Sequence, residues 1–318
     1  MSHSLRDDVS ARGFPLVALS AALWGTDALF RRGLALELPA TTVVVYEHLI
    51  LALIMAPILL RIRWRELSTA DLWSLLLIGG GASALATGMF TAAFRFGDPN
   101  APLLLQKLQP LVAIIAARFI LGERVKPRFG LYAAMAIGAA WLITFPDPFA
   151  IRIETARAGA LAAGAAILWA MGTVLGRRMS DRLTFIELTA ARFGIGLPVA
   201  LLFALVVGQG RTGGLAIGTA DLLPLVLLAL VPGLLALLLY YRGLRSTPAS
   251  AATLAELSFP AAALLVNYLA FGATITLTQF AGVILLSGTL VALSFAGRAD
   301  AEALGVKTHS SGTRGAEA

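Results

Sequence analysis

The chain repeats itself. Shifted by 145 residues, Leu16 falls on Leu161, Ala21 on Ala166, Leu23-Trp24 on Leu168-Trp169 and Arg32 on Arg177. Shifted by 150, Asp71-Leu72 falls on Asp221-Leu222, Arg95 on Arg245, Pro110 on Pro260 and Gly122 on Gly272. The offset changes in one loop, longer in the second copy, between Gly208 and Ala220. Each copy holds five apolar stretches. After five membrane crossings the second copy must enter the bilayer from the opposite side. The pattern therefore predicts an all-α integral membrane protein of ten transmembrane helices, arranged as two inverted five-helix repeats. Architectures of this kind support alternating access.

The membrane assignment rests on composition. The chain is 58% hydrophobic and 14% charged, against roughly 25% charged in soluble proteins, and its mean hydropathy is +0.83. Ten stretches are long and apolar enough to span the bilayer: residues 14–34, 41–60, 72–94, 101–121, 129–145, 158–176, 185–207, 221–241, 250–271 and 278–296. This divides the chain into a cytoplasmic segment 1–13, a first repeat 14–145, a second repeat 158–296 and a polar tail 297–318 with the composition of a disordered segment. The first stretch is too long for a signal peptide and lacks a small-residue cleavage site.

The net charge of +7 does not imply nucleic acid, because the cations sit in short loops between apolar stretches. With the N-terminus inside, seventeen arginines and lysines fall in cytoplasmic segments and six, Arg31 and Arg32 among them, in outer loops. That bias places both termini in the cytoplasm, and the bacterial inner membrane is the expected location. The chain has no cysteine, which excludes disulfides and thiolate metal sites. With a single histidine in a span, no metal site and no cofactor is expected.

Charged side chains inside spans are costly and mark function by default. The candidates are Asp27, Glu47, Lys107, Glu187, Arg192 and Glu256, with His48, Gln106, Gln109 and Asn267 as polar neighbours. The repeat maps Glu47 onto Arg192 and Gln106 onto Glu256, so each copy has one acid and one base with the signs exchanged. Glu47 and Lys107 fall in the outer half and Arg192 and Glu256 in the inner half, as two ion pairs that either gate the two sides or glue helices together. Asp27 is either a proton carrier or the partner of Arg31, four residues on along one helix face. His48 suits a pH-sensitive step or a packed, hydrogen-bonded position. Trp24 and Trp169 are repeat mates at span centres, where a cavity wall and ordinary core are the two readings. Tyr240 and Tyr241 are belt or cavity-floor residues. Pro110 and Pro260 fall mid-span as symmetric hinges, and Gly79-Gly80-Gly81 fits close helix approach.

The residues also resemble a known family. Leu23-Trp24-Gly25 and Leu168-Trp169-Ala170, the run Leu105-Gln106-Lys107-Leu108-Gln109-Pro110, the following Leu121-Gly122-Glu123-Arg124 and the counterpart Glu256-Leu257-Ser258-Phe259-Pro260 are similar to the ten-helix EamA-like branch of the drug/metabolite transporter superfamily. The resemblance runs from about Phe14 to Ala296. Tyr46-Glu47-His48, and Ala273 in place of the first copy's Glu123, depart from it. It implies a central cavity lined by the first four helices of each repeat, with the fifth of each at the periphery. It also implies transport of amino acids, nucleotide sugars, metabolites or drugs, often as export.

The expected function is a secondary transporter of a small organic solute, an amino acid or related metabolite, exported by alternating access with protons as one possible coupling ion. Either a monomer or a homodimer is compatible. The competing classes are an intramembrane enzyme and a channel. The chain has no His-Glu-x-x-His, no Gly-x-Ser-x-Gly and no Walker loop, and no obvious selectivity filter. Glu123-Arg124, Lys126 and Arg128 read as cytoplasmic anchoring.

Overall fold

The computed structural model describes residues 2–96, 98–120, 129–145, 147–149, 152–179, 181–207, 214–244, 255–256 and 258–303. Residues 121–128, with the anchoring charges, and 304–318, most of the expected tail, lie outside them. Every regular element among the described residues is helical. In chain order these are α1 (Gly13–Glu37), α2 (Ala40–Leu59), α3 (Thr69–Ala93), α4 (Asn100–Ile120), α5 (Phe129–Thr144), α6 (Ile153–Met179), α7 (Phe185–Val206), α8 (Thr219–Tyr240), α9 (Ser258–Phe271) and α10 (Leu277–Ala303). Seven are long and apolar enough to cross a membrane; α5, α9 and the apolar part of α10, Leu277–Ala292, are shorter. Large apolar side chains such as Trp73, Phe119 and Leu269 face outward, as a lipid-solvated surface requires.

Two boundaries differ from the sequence expectation. The helix of α1 extends back to Ser2, and α10 runs to Ala303, past residue 296. Polar residues end the apolar stretch without ending the helix, since backbone hydrogen bonds persist where lipid contact stops.

Several helices are broken or widened at positions the residues explain. α1 is interrupted at Thr26, whose amide and hydroxyl both turn back to the Leu23 carbonyl at 3.1 and 2.7 Å. In α4 the proline nitrogen of Pro110 has no hydrogen for the Gln106 carbonyl. The Gln109 amide takes that carbonyl instead, and Gln106–Leu108 tighten into a 3-10 turn. α3 and α8 contain π-helical stretches, Leu77–Leu85 and Ala229–Leu235, at corresponding places in the two copies. Asp71 and Asp221 likewise accept the amides of Ser68 and Gly218 at 3.0 and 2.8 Å to start those helices.

The copies exchange partners. α1 packs on the second copy: Ser20 donates to the Ala236 carbonyl and Ser258 to the Ala18 carbonyl, both at 2.6 Å. A Cβ on Gly25 would stand 2.8 Å from the Phe259 carbonyl oxygen, so α1 and α9 approach backbone to backbone only because this residue is glycine. α6 packs on the first copy, with Gln109 donating to Thr173 at 2.9 Å and Trp169 against Phe90. α2 and α7 lie together, as do α5 and α10. Gly79 in α3 sits where a Cβ would be 2.8 Å from Ile195 of α7, and one on Gly80 would be 3.3 Å from Val199, whereas one on Gly81 would meet nothing within 4 Å, so the close approach uses two of the three glycines.

Candidate functional site

The predicted polar residues gather into three groups. The first is centred on Arg31, buried to 3% exposure. One helical turn separates it from Asp27, and its Nε and Nη2 donate to the two Asp27 carboxylate oxygens at 2.7 and 2.9 Å. Nη1 and Nη2 also reach Glu47 at 3.0 and 3.2 Å, and Nη1 donates to the Thr91 hydroxyl at 2.8 Å. The Phe90 ring lies 5.4 Å from the guanidinium. One cation thus holds two carboxylates and ties α1, α2 and α3 together. A planar fork with five donors can do this; a lysine cannot.

The second group joins four helices. Lys107 Nζ on the 3-10 turn of α4 stands 3.5 Å from a Glu256 oxygen just before α9. The Tyr240 hydroxyl, at the end of α8, donates to the other oxygen at 2.6 Å. The Tyr240 ring meets Trp24 of α1 with centroids 5.0 Å apart, and Nζ lies 4.4 Å from the Phe259 ring centre. Trp24, Lys107, Tyr240 and Glu256 are all half-buried.

The third group is a relay between α2, α3 and α7. The His48 Nδ1 lies 2.9 Å from the Val44 carbonyl, and since a carbonyl only accepts, Nδ1 carries the hydrogen. Nε2 then accepts from the Ser83 hydroxyl at 2.9 Å, whose oxygen accepts from Arg192 Nε at 3.1 Å. Arg192 Nη2 donates to the Ala82 carbonyl at 3.1 Å, a carbonyl of the π-helical stretch of α3.

The expected ion pairing is therefore corrected. Glu47 and Lys107 do not pair, nor do Arg192 and Glu256; the described pairs of the in-span charges are Arg31 with Asp27 and Glu47, and Lys107 with Glu256. Arg31, counted among the outer-loop cations, takes both in-span acids of the first copy, Asp27 from its own helix face and Glu47 from α2. Lys107 is left to the one acid across the copy boundary. Contact between Lys107 and Glu256 also puts them at one depth instead of in opposite halves. The Asp27–Arg31 pair is the second of the two readings given for Asp27, and the hydrogen-bonded position the second for His48. Glu187 is not an in-span charge needing a partner: it closes a capping box with Thr184 at the start of α7, with bonds of 2.8 and 3.3 Å.

The prolines also differ from symmetric mid-helix hinges. Pro110 follows the 3-10 turn of α4, but Pro260 sits in the first turn of α9, where a proline breaks no bond. Gln106 is half-buried on the turn beside Lys107. Trp24 and Trp169 each face an aromatic partner, Tyr240 and Phe90. Of the candidate residues, Trp24, Lys107 and Glu256 come together, Asp27 and Glu47 are sealed around Arg31, Arg192 joins the His48 relay, and Trp169 stands against Phe90.

Sequence reasoning missed Ser83, Thr91 and the partners Asn100, Asp98 and Gln279 that join the candidate Asn267 in a polar layer near the ends of α4, α9 and α10. There Asn267 donates to Asn100 at 2.7 Å and Gln279 to Asp98 at 2.7 Å. Small hydroxyls and amides in apolar runs leave no periodic signal. Arg31 had one, its four-residue spacing from Asp27. No group of three or more metal-ligating side chains occurs among the described residues.

Comparison with known proteins agrees with this framework. The model of the EamA-like transporter family matches residues 11–145 and again 157–295, once per copy. A curated relative, riboflavin transporter ImpX of Fusobacterium nucleatum subsp. nucleatum, is 30% identical over 299 residues, covering 90% of this chain and 99% of its own length. A solved crystal structure aligns with 91% of this chain and 99% of its own at a TM-score of 0.60 and 21% identity, a likeness of fold.

Proposed function

From the premise that the chain belongs to the EamA-like transporter family, and is thus a multi-pass membrane transporter, we propose that it carries a flat heteroaromatic solute of the riboflavin type by alternating access. The observation that carries the cargo is the half-buried Trp24–Tyr240 ring pair beside Lys107 and Glu256. Tryptophan and tyrosine faces bind planar rings by stacking, and the polar groups beside them orient the ring edge. The name of the riboflavin-transporting relative points the same way.

Three features support the alternating-access mechanism. The two copies exchange partners, α1 packing on α8 and α9 while α6 packs on α3 and α4. The π-helical stretches recur in α3 and α8. The Lys107–Glu256 contact spans the copy boundary at the break in α4. In this mechanism ten spans form two inverted repeats, both termini lie in the cytoplasm of a bacterial inner membrane, and a solute or proton gradient drives the step, with no ATP site. The cation bias supports the orientation.

A second reading, amino-acid export, draws on the same Lys107–Glu256 pair, whose opposite charges suit a zwitterion. Proteoliposomes separate the two. The flavin reading expects saturable riboflavin movement, competed by other flat heteroaromatics and unaffected by amino acids, with a pH-gradient dependence if protons are coupled. Amino-acid movement without riboflavin movement would return the cargo to the zwitterion.

A further inference from the structure

The row formed by Lys107 and Glu256 has a chemical polarity beyond its role as an ion pair. Lys107 offers only donors; Glu256 offers only acceptors. They stand side by side at 3.5 Å, wider than the 2.7–2.9 Å of a tight charge-assisted hydrogen bond. Their side chains remain 18% and 28% exposed, so the pair is not closed on itself as the Arg31 group is. Tyr240 fixes the far oxygen of Glu256 at 2.6 Å, and its ring meets Trp24 at a tilt of 51°. The Phe259 ring centre lies 4.4 Å from the Lys107 ammonium and holds it on one side by cation–π attraction. A donor beside an acceptor, next to an aromatic wall, is complementary to a ring edge presenting a carbonyl beside an N–H.

We propose that Lys107 and Glu256 read the cyclic imide edge of the cargo, Glu256 accepting its ring N–H and Lys107 donating to the adjacent carbonyl while the ring stacks against Trp24 and Tyr240. In a flavin that edge is N3–H flanked by the two pyrimidine carbonyls. The inference rests on the flavin reading above and adds which end of the ring the protein selects. It also couples recognition to the transport machinery. An edge seated between the two charges replaces their mutual contact, and that contact joins α4 of the first copy to α9 of the second. A ligand that substitutes for one state's contacts shifts the balance between states. A zwitterion would also meet both charges, but it has no flat ring for the Trp24–Tyr240 wall.

The test uses the purified full-length protein in lipid nanodiscs, with flavin fluorescence quenching as the readout and two probes, riboflavin and N3-methylriboflavin. The methyl group removes the one hydrogen that Glu256 accepts and leaves the ring, the carbonyls and the side chain intact. Wild type is expected to bind riboflavin at least about tenfold more tightly than the methylated form, the scale of an unmade hydrogen bond to a charged group. Glu256→Leu is expected to bring the two probes to the same Kd, and Lys107→Met to weaken both by a similar factor while keeping the preference. If Glu256→Leu does not fold, the comparison of probes on wild type decides alone. Equal affinity of wild type for both probes overturns imide recognition and leaves the flavin reading standing. Absence of riboflavin binding to folded wild type overturns the flavin reading, and this inference with it.

Discussion

Two charged groups each touch α1, one through Asp27 and Arg31 and the other through Trp24, and they are built differently. Around Arg31, three side chains are nearly sealed, the guanidinium makes five hydrogen bonds of 2.7–3.2 Å, and both carboxylates are satisfied by one fork. Around Glu256, the pair is half-buried, its one charge–charge contact is 3.5 Å, and rings stand beside it. Both contain an acid and a base among apolar helices, so charge alone does not tell them apart. Completeness of hydrogen bonding does. A polar group satisfied by its own protein has nothing left for a ligand, whereas a loosely engaged, accessible pair retains donor and acceptor capacity. Glue and recognition are thus separable by geometry.

The largest effect should come from breaking the sealed group. Arg31→Met leaves two buried carboxylates without a cation, and losing one partner of a buried pair costs about 3–5 kcal/mol. Folded yield and melting temperature in detergent should drop sharply. A variant that melts like wild type would show that the Arg31 group is not structural.

A smaller effect is expected between the two groups. Gly25→Ala places a methyl 2.8 Å from the Phe259 carbonyl oxygen, and overpacking of this kind costs about 1–3 kcal/mol. Pushing α1 off α9 should move Trp24 from Tyr240 while sparing the Arg31 fork, so ligand affinity should fall by more than stability explains. Proportional loss of both would erase the distinction.

Lys107→Gln should act almost wholly on function. The half-buried pair is 3.5 Å apart and not closed in a tight hydrogen bond, so abundance should stay near normal while transport is lost. Normal transport, or loss explained entirely by missing folded protein, would remove Lys107 from the recognition site.

The subtlest test lies in the loop before α4. Burial raises the Asp98 carboxyl above its ordinary range, opposed by hydrogen bonds from the Asn100 amide and Gln279. Folded protein therefore keeps this proton at a pH where the unfolded chain has released it. The contribution to stability is then most favourable at low pH and is lost as pH rises from the ordinary carboxylate value through the raised one. Melting temperature followed across that interval should fall with rising pH for this group, and Asp98→Asn should flatten that component. An unchanged slope would show that Asp98 is already ionised there, despite its burial.

Much of this molecule was legible in its residues. Apolar runs set by bilayer thickness, the internal duplication and the Leu23-Trp24-Gly25 signature pointed to a helical membrane transporter, because span length and backbone satisfaction in lipid leave few alternatives. Trp24, Lys107 and Glu256 were singled out because charges and central tryptophans are rare inside spans. Which charge meets which was decided only in three dimensions. Arg31 and Asp27 share a helix face, a local relation written in a four-residue spacing. Lys107 and Glu256 lie on different copies, brought together by the turn at Pro110 and the glycine contact between α1 and α9. The lateral packing of helices depends on such close approaches, and one chain's linear pattern carries no register between distant segments. Sequence alone therefore determined that charges lie among apolar helices; tertiary packing decided which of them were sealed into the scaffold and which were left partly exposed.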